Sequence, residues 1–556
     1  MTSTVGNPVY FVAVDVGTSS VRAALVSGTG QVIRVAVEPI KIWNPCESFY
    51  EQSSDDIWRA CCKTVKQVTS DDIAESVQGI GFDATCSLVA LDKELKPLSV
   101  SQSGDNERNI IMWMDHRAKV QAERINKAGH EALRFTGGEI SLEMEPPKLL
   151  WLKENLFEAC WQKAGTFMDL ADFMTWRATG SQIRSLCTVV CKWMFQANDT
   201  GLREWNSSFY ESIGLKELLK DEQQKIGNLF QLPGDPCGDG LSPGAAEELG
   251  LRPGLPVGTG IIDAYAGGIG MLGADVSGLK LPCETRPLTS RLALICGTST
   301  CHMSLSKKET FVPGVWGPYY SCMVPGLWGN EGGESCTGKL IDHIIHTHPA
   351  VDLLTEQSKK RGCDMYTWLD DQLMTMAREK HLSSPAMLTR DLHVCPYFYG
   401  NRSPLADPTL KGMICGLMLS SSLDDLALLY LATLQALAHG THLIVQQMVK
   451  SGYDISTLFA CGGLCKSDLF LQTHADVTGL PIVLPKESES VLVGAAILGA
   501  KASGRFDLES AMSRMCGVGK VVWPDEHQRA YYSKKHEVFL KLVDHQREYK
   551  RIMEEL

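Results

Sequence analysis

At 556 residues the chain is longer than one hydrophobic core ordinarily organises, so two large lobes are expected. Hydrophobic residues make up 44% and charged residues 21%, a globular composition that excludes a disordered or fibrous chain. The net charge of −12 argues against nucleic acid or an anionic membrane surface as the main ligand, and any phosphate must be bound locally, by loops, a metal and a few cations.

Residues 1–10 are short and polar, with neither a basic nor an apolar leader segment. No window reaches the roughly 18 uninterrupted apolar residues of a spanning helix. The 19 cysteines are odd in number and scattered, which fits a reducing compartment and a cytoplasmic, disulfide-free protein.

In chain order, residues 10–14 and 21–26 are strand-like runs joined by Gly17-Thr18-Ser19-Ser20, a hairpin signature. Residues 55–68 have helical spacing behind Ser53 or Ser54, and 77–82 and 88–91 read as continuing strands. The alternation predicts an α/β domain with a mixed sheet. A second start follows near residue 292, where an apolar run leads into Gly297-Thr298-Ser299-Thr300 and another strand. This echo of the first turn is read as an internal repeat. Residues 277–290 form a linker or exposed insertion, 423–449 a long helix, and 526–556 a charged, solvated helical tail. The expected division is 8–275 for the first lobe, 276–290 for the linker, 291–510 for the second lobe and 511–556 for the tail.

The two Gly-Thr-Ser turns can aim backbone N–H groups and hydroxyls at phosphate oxygens. Asp15 sits two residues before the first turn, where it can hold Mg²⁺ through water. Asp263 follows the glycine-rich run Val257-Gly258-Thr259-Gly260. It reads either as a helix N-cap or as a cleft carboxylate able to take a proton from a substrate hydroxyl, and the local sequence leans to the cap. Gly462-Gly463, between an apolar run and a helical one, suits close approach of a flat ring or a plain tight turn.

Three patterns point elsewhere and are set aside. Gly333-Glu334-Ser335-Cys336-Thr337-Gly338-Lys339 nearly spells a P-loop, but Leu340 stands where the metal-binding hydroxyl belongs. Gly268, Gly270 and Gly273 match a dinucleotide fingerprint but follow a helix rather than a strand. His343, His346 and His348 lack the partners of a zinc site.

Taken together, these pieces resemble the FGGY carbohydrate kinases over residues 10–505. The residues from Asp15 to Arg22 are similar to the family's first phosphate loop, Gly297-Thr298 to its second, and Gly462-Gly463 with Lys466-Ser467 to its adenosine loop, with Ser467 where many members carry Asn. Trp113-Met114-Asp115-His116-Arg117 resembles the family's Trp-x-Asp-x-Arg sugar-contacting stretch. Residues 147–152 resemble one signature, although Glu145 departs from the small residue or proline usual upstream.

The resemblance implies two actin-like (ribonuclease H-like) lobes around a central cleft, with Mg-ATP as co-substrate. It also implies Asp263 as general base, and Asp15, Gly17, Thr18, Ser19, Arg22, Gly297, Thr298, Gly462, Gly463 and Ser467 on the nucleotide, with Asp15 near the metal. Cys86, Trp113, Asp115, Lys192 and Glu331 are implied at the sugar, in the pattern of the ribulokinases. The expected reaction is transfer of the γ-phosphoryl group to a terminal hydroxyl of a ketopentose, with D-ribulose first. Xylulose, L-ribulose, ribitol or a non-catalytic nucleotide-binding role stand as alternatives. The expected partner is a small sugar, without nucleic acid or membrane. The sequence does not specify oligomeric state, and a homodimer is carried as one candidate.

Overall fold

Apolar alternation at the start of the chain makes two fully paired strands, β1 (Tyr10–Val16) and β2 (Ser20–Ser27), followed by β3 (Val32–Pro39). The computed structural model describes residues 9–70 and 73–555, so residues 1–8, on which the reading of a leaderless start rests, lie outside it. Two further strands, β4 (Val77–Ala84) and β5 (Val257–Ile262), complete a sheet of order β5-β4-β1-β2-β3. β1 pairs antiparallel with β2 and parallel with β4. Register places Asp15 opposite Arg22 on one side and Asp83 on the other. The run at Leu88–Asp92 does not continue this sheet. It joins a separate four-stranded sheet with Glu51–Gln52, Ile110–Ile111 and Ala164–Asp169.

Helix α1 (Asp263–Leu272) leaves β5 toward the second lobe, where β6 (Arg291–Cys296), β7 (Thr300–Ser306), β8 (Trp316–Tyr320) and β9 (Trp328–Glu334) follow. Next come α2 (Gly338–Thr347), α3 (Leu423–Lys450), β10 (Thr457–Cys461), α4 (Asp468–Thr478), β11 (Ile482–Pro485), α5 (Ser490–Ala502), β12 (Val518–Val522) and α6 (Arg529–Glu554). The second sheet has the order β8-β9-β7-β6-β10-β11-β12. Within it, β11-β10-β6-β7-β9 repeats the order and strand directions of the first sheet, so the two Gly-Thr-Ser turns occupy equivalent hairpins.

One hydrophobic core runs through both lobes by way of α1 and α5 and holds Phe11, Ile261, Ala293, Phe459 and Leu498. Although α5 comes late in the chain, it lies on the first sheet. A Cβ on Gly81 would fall 1.9 Å from the Ala495 carbonyl oxygen, and one on Gly494 would fall 2.0 Å from that of Ala266. Both positions therefore admit only glycine. α3 is long and apolar enough to cross a membrane, but 83% of its most apolar window is buried in the second lobe.

The expected boundaries shift in two places. Residue 510 falls inside the helix Leu508–Met515, and β12 beyond it is the edge strand of the second sheet. The charged tail is not simply solvated either, because α6 buries Tyr532, Lys535, Phe539, Leu542 and Val543. Lys535 Nζ donates to the carbonyls of Thr389 and Leu392 at 2.7 Å each. That narrow apolar stripe, on spacings of three, four and seven, is masked in the sequence by the charges around it. The 276–290 segment is also anchored, with Leu281 and Cys283 buried and Glu284 accepting the backbone N–H groups of Gly278 and Lys280.

Candidate active site

Three adjacent parallel strands, β1, β4 and β5, end at the cleft, and each delivers a carboxylate there: Asp15 and Asp83 near the ends of β1 and β4, and Asp263 immediately after β5. Asp15 is buried and paired to Arg22, whose Nε donates at 2.8 Å; the far side of that guanidinium reaches Glu489 at 2.6 Å. Burial works against the Arg22 charge, but Asp15 outweighs it and holds the group above its usual range. Asp83 is fully buried, and neither of its oxygens meets a donor among the described residues. Burial first, then the charges of Asp15 and Asp263, push its carboxyl well above the usual range.

Asp263 is the first residue of α1 rather than its N-cap, which is Ile262. Its Oδ1 accepts the N–H of Ala264 at 2.7 Å, and its side chain remains partly accessible. Burial and the neighbouring Asp15 raise its pKa to about 7. Two residues further along α1, Tyr265 donates to Glu331 at 3.1 Å, so the first turn of this helix leads from the strand ends that carry Asp15 and Asp83 toward the Lys192–Glu331 pair.

The two hydroxyl-rich turns differ in support. In the first, Gly17 N–H closes onto Ser20 O at 3.0 Å, Ser19 is exposed, and the Thr18 hydroxyl accepts Trp113 Nε1 at 3.1 Å. In the second, the carbonyls of Gly297 and Thr298 accept the N–H groups of Gly338, Thr337 and Lys339 at the start of α2. The near-P-loop is therefore a buttress. Its amides face the turn's carbonyls, and Thr298 is exposed at the tip of its hairpin. Gly462, at φ +102, lets the loop pass the Cys296 carbonyl, from which a Cβ would be only 2.4 Å away. Gly462 and Gly463 are exposed, whereas the Ser467 hydroxyl caps α4 through Phe470 N–H and donates to Asp370 at 3.2 Å. The accessible part of this loop is the backbone at the two glycines, whereas the Ser467 hydroxyl is already engaged.

At the other end, Lys192 closes a short buried helix, Leu186–Lys192, and its Nζ lies 3.6 Å from Glu331 Oε2 on β9. Tyr265 donates to the same oxygen at 3.1 Å, and Arg402 pairs with Oε1. Burial opposes the Glu331 charge, but Lys192 and Arg402 hold its carboxyl below the usual range. Burial likewise opposes the Lys192 charge, which Cys86 and Glu331 nonetheless favour. Cys86 is 7% exposed, and its thiol is pushed well up by burial. The loop it shares with Thr85 and Ser87 is pinned by Thr85 N–H on Val16 O and by Ser87 Oγ, which accepts Trp113 N–H.

Asp115 is not a free carboxylate. Fully buried, it takes Arg117 at 2.8 Å and Tyr50 N–H at 2.7 Å. Arg117 in turn pairs with Glu51 and lies between the rings of Phe49 and Trp151. From the Trp113–Arg117 stretch it is thus Trp113 that reaches the Thr18 turn, with Asp115 fixing the stretch behind it. Glu145, the departure from the family pattern, is buried beside Lys148 at 3.4 Å. His343 and His346 lie on α2 and His348 caps it, and among the described residues no group of three or more His, Cys, Asp or Glu side chains can hold a metal ion alone. Asp83, Arg402, Tyr265, Trp316 and Glu143 were not found from sequence. Asp83 directly follows the apolar run at 77–82 and stands three residues before Cys86, and that place at the end of a strand was the available signal.

The donor set near Asp15 fits a hard divalent cation. Two carboxylates stand side by side, one with both oxygens lacking a donor, and the remaining ligands must come from phosphate and water, as Mg²⁺ prefers.

Comparison with known proteins agrees with this arrangement. Residues 10–270 match the N-terminal domain, and residues 292–503 the C-terminal domain, of the FGGY family of carbohydrate kinases. The chain is 55% identical to the human FGGY carbohydrate kinase domain-containing protein, covering 98% of each. It is 40% identical to a D-ribulokinase of Saccharomyces cerevisiae, over 90% of this chain and 72% of that one. The fold is that of a ligand-bound xylulose kinase from Lactobacillus acidophilus, with a TM-score of 0.77 at 19% identity over 96% of this chain and 98% of that one. With both lobes matched in sequence and fold, the chain belongs to the FGGY family of carbohydrate kinases.

Proposed function

We propose that the protein phosphorylates a neutral ketopentose, D-ribulose first, on a terminal hydroxyl, with Asp263 as the base. The observation that carries this reading is the station of Asp263 at the start of α1, beside the strands whose ends carry Asp15 and Asp83 and on the helix whose Tyr265 reaches the Lys192–Glu331 pair. A carboxylate there can accept the proton of a hydroxyl held at the Lys192 end as that oxygen attacks phosphorus at the Asp15 end. The D-ribulokinase relative supports the pentulose class. The charges support a neutral sugar over a sugar acid, because Lys192 and Arg402 are matched by Glu331 and Glu143.

Asp15 and Asp83 would hold Mg²⁺, which when bound offsets the charge on the phosphates. The hydroxyls and N–H groups of Thr18, Ser19 and Thr298 face the transferring phosphate, and Gly462-Gly463 pass the adenine. Lys192, Glu331 and Cys86 orient the sugar, with Trp113 closing the floor between the two ends. We infer a cytoplasmic enzyme from the nineteen unpaired thiols, which suit a reducing compartment.

The test is ADP release from Mg-ATP across ketopentoses, pentitols, glycerol and a sugar-free blank. Strong stimulation by D-ribulose is expected. Equal, slow release in every well overturns the kinase reading in favour of a bare ATPase or a nucleotide-binding scaffold.

A further inference from the structure

Arg402 lies in the irregular 396–407 segment of the second lobe, which no motif singles out. Its side chain is nevertheless 7% exposed and surrounded on four sides. Nη2 pairs with Glu331 Oε1, and Nη1 lies 3.7 Å from Glu143 Oε2 of the first lobe. The guanidinium carbon is 3.9 Å from the centre of the Trp316 ring, which also carries Lys192 Nζ at 4.4 Å. A Cβ on Gly333 would lie 2.9 Å from that same carbon, so β9 leaves a seat for the guanidinium by having no side chain there. Buried Arg402 Nε meets no acceptor among the described residues, which leaves one N–H of the fork for a ligand oxygen.

The four charges Lys192, Glu331, Arg402 and Glu143 alternate in sign and in pairs across the cleft. Lys192 and Glu143 belong to the first lobe, Glu331 and Arg402 to the second, and both the Lys192–Glu331 and the Arg402–Glu143 contacts cross between lobes. The 396–407 segment makes a second crossing nearby. Tyr399 stacks on His116 of the first lobe with ring centres 5.4 Å apart and is joined to His116 Nδ1 at 2.8 Å.

We propose that Arg402 is a positioning residue that ties seating of the sugar to closure of the lobes, holding Glu331 with one nitrogen and Glu143 of the opposite lobe with the other. This inference rests on the kinase reading above, in which Lys192 and Glu331 hold the sugar. A planar guanidinium suits the task because its N–H groups diverge in a fixed fork, so it can serve two carboxylates and a ligand oxygen at once; a lysine ammonium has no such fixed geometry. Closure matters to a kinase because an open cleft admits water, which competes with the sugar for phosphorus.

The experiment uses the full chain as wild type, Glu143→Gln and Arg402→Lys. The first variant removes the first-lobe charge that meets Arg402; the second keeps the Arg402 charge but loses the fork. Small-angle scattering with a non-hydrolysable ATP analogue, Mg²⁺ and D-ribulose reads compaction, and sugar phosphate formed per ADP released reads coupling. Wild type is expected to compact and to couple near one to one. Both variants should keep nucleotide affinity, raise KM for the sugar about tenfold and lose compaction and coupling together. Compaction and coupling unchanged in both variants overturn the proposal while leaving the kinase reading intact. A wild type that responds to no sugar overturns that reading, and this inference with it. Should Arg402→Lys fail to fold, Glu143→Gln, at a partly exposed position, decides alone.

Discussion

Asp83 sits directly opposite Asp15 across the parallel pair β1–β4, fully buried and with no donor to either oxygen among the described residues. Two carboxylates in that relation repel unless a cation or a proton joins them. Asp83→Asn keeps the volume and removes one charge. The fold should gain thermal stability, while Mn²⁺ retention beside bound nucleotide, read by electron paramagnetic resonance, falls about tenfold or more. A variant that is less stable and binds Mn²⁺ as before would make Asp83 a purely structural residue.

Asp263→Asn should separate binding from turnover. The isosteric amide keeps the start of α1 but cannot accept a proton, so kcat should fall by about 10²–10⁴-fold. ATP affinity, measured by fluorescence titration, should stay within about twofold, since the proposed role of this side chain is with the sugar hydroxyl rather than the nucleotide. Sugar phosphorylation at the wild-type rate would remove the base assignment.

The pH profile should carry the same residue's signature. On the proposed reading Asp263, its pKa raised to about 7 by burial and Asp15, can accept the substrate proton only in its ionised form, which dominates above that value. The kcat/KM for sugar should therefore rise with pH through about 7. Increasing magnesium should displace that limb to lower pH, because a cation beside Asp15 favours the ionised form. A flat profile across this region would point to a different base.

Acid should weaken the second lobe. Burial lowers His302 to about 3 and His442 and His474 to about 4, and His439 lies well below its usual range through burial and the nearby His536. The unfolded chain then takes up protons that the folded one refuses. This contribution to stability is full above about 6.5 and shrinks as pH falls toward about 4. Thermal scans from neutral to mildly acid pH should show a falling Tm. In His439→Phe, whose ring would join Tyr532 and Phe539, the fall should be shallower.

Gly494→Ala tests the joint between the lobes. The added methyl would press on the Ala266 carbonyl, an overpacking cost of about 1–3 kcal/mol. Tm should drop, and kcat should drop with it. An unchanged Tm would mean that α5 can shift away from α1.

Much of this was legible in the sequence because it is local. The hairpin around Gly17 and its echo around Gly297 announce themselves by short-range pattern, and the shared strand order of the two sheets follows from them. Asp263 could be singled out but not resolved between cap and cleft, since that depends on where β5 ends relative to β4. Arg402 and Glu143 were illegible: about 260 residues separate them, and only the folded chain brings them to 3.7 Å. Asp115 misleads for the opposite reason, because its partner Arg117 is two residues away and the motif they share does not say which member faces the ligand. The stripe beneath α6 fails differently, hidden by composition rather than distance.

The contact of α5 with β4 and α1, in which main-chain oxygens rest where side chains would otherwise be, has a mechanical consequence. Surfaces keyed together by backbone have no compliant layer between them, so they cannot slide. Lobe closure of the kind proposed would then run as rotation about this seam, like a pivot turning in a fitted socket. A wide swing at the cleft mouth, where Tyr399 and Arg402 reach across, then needs only a small turn at the joint.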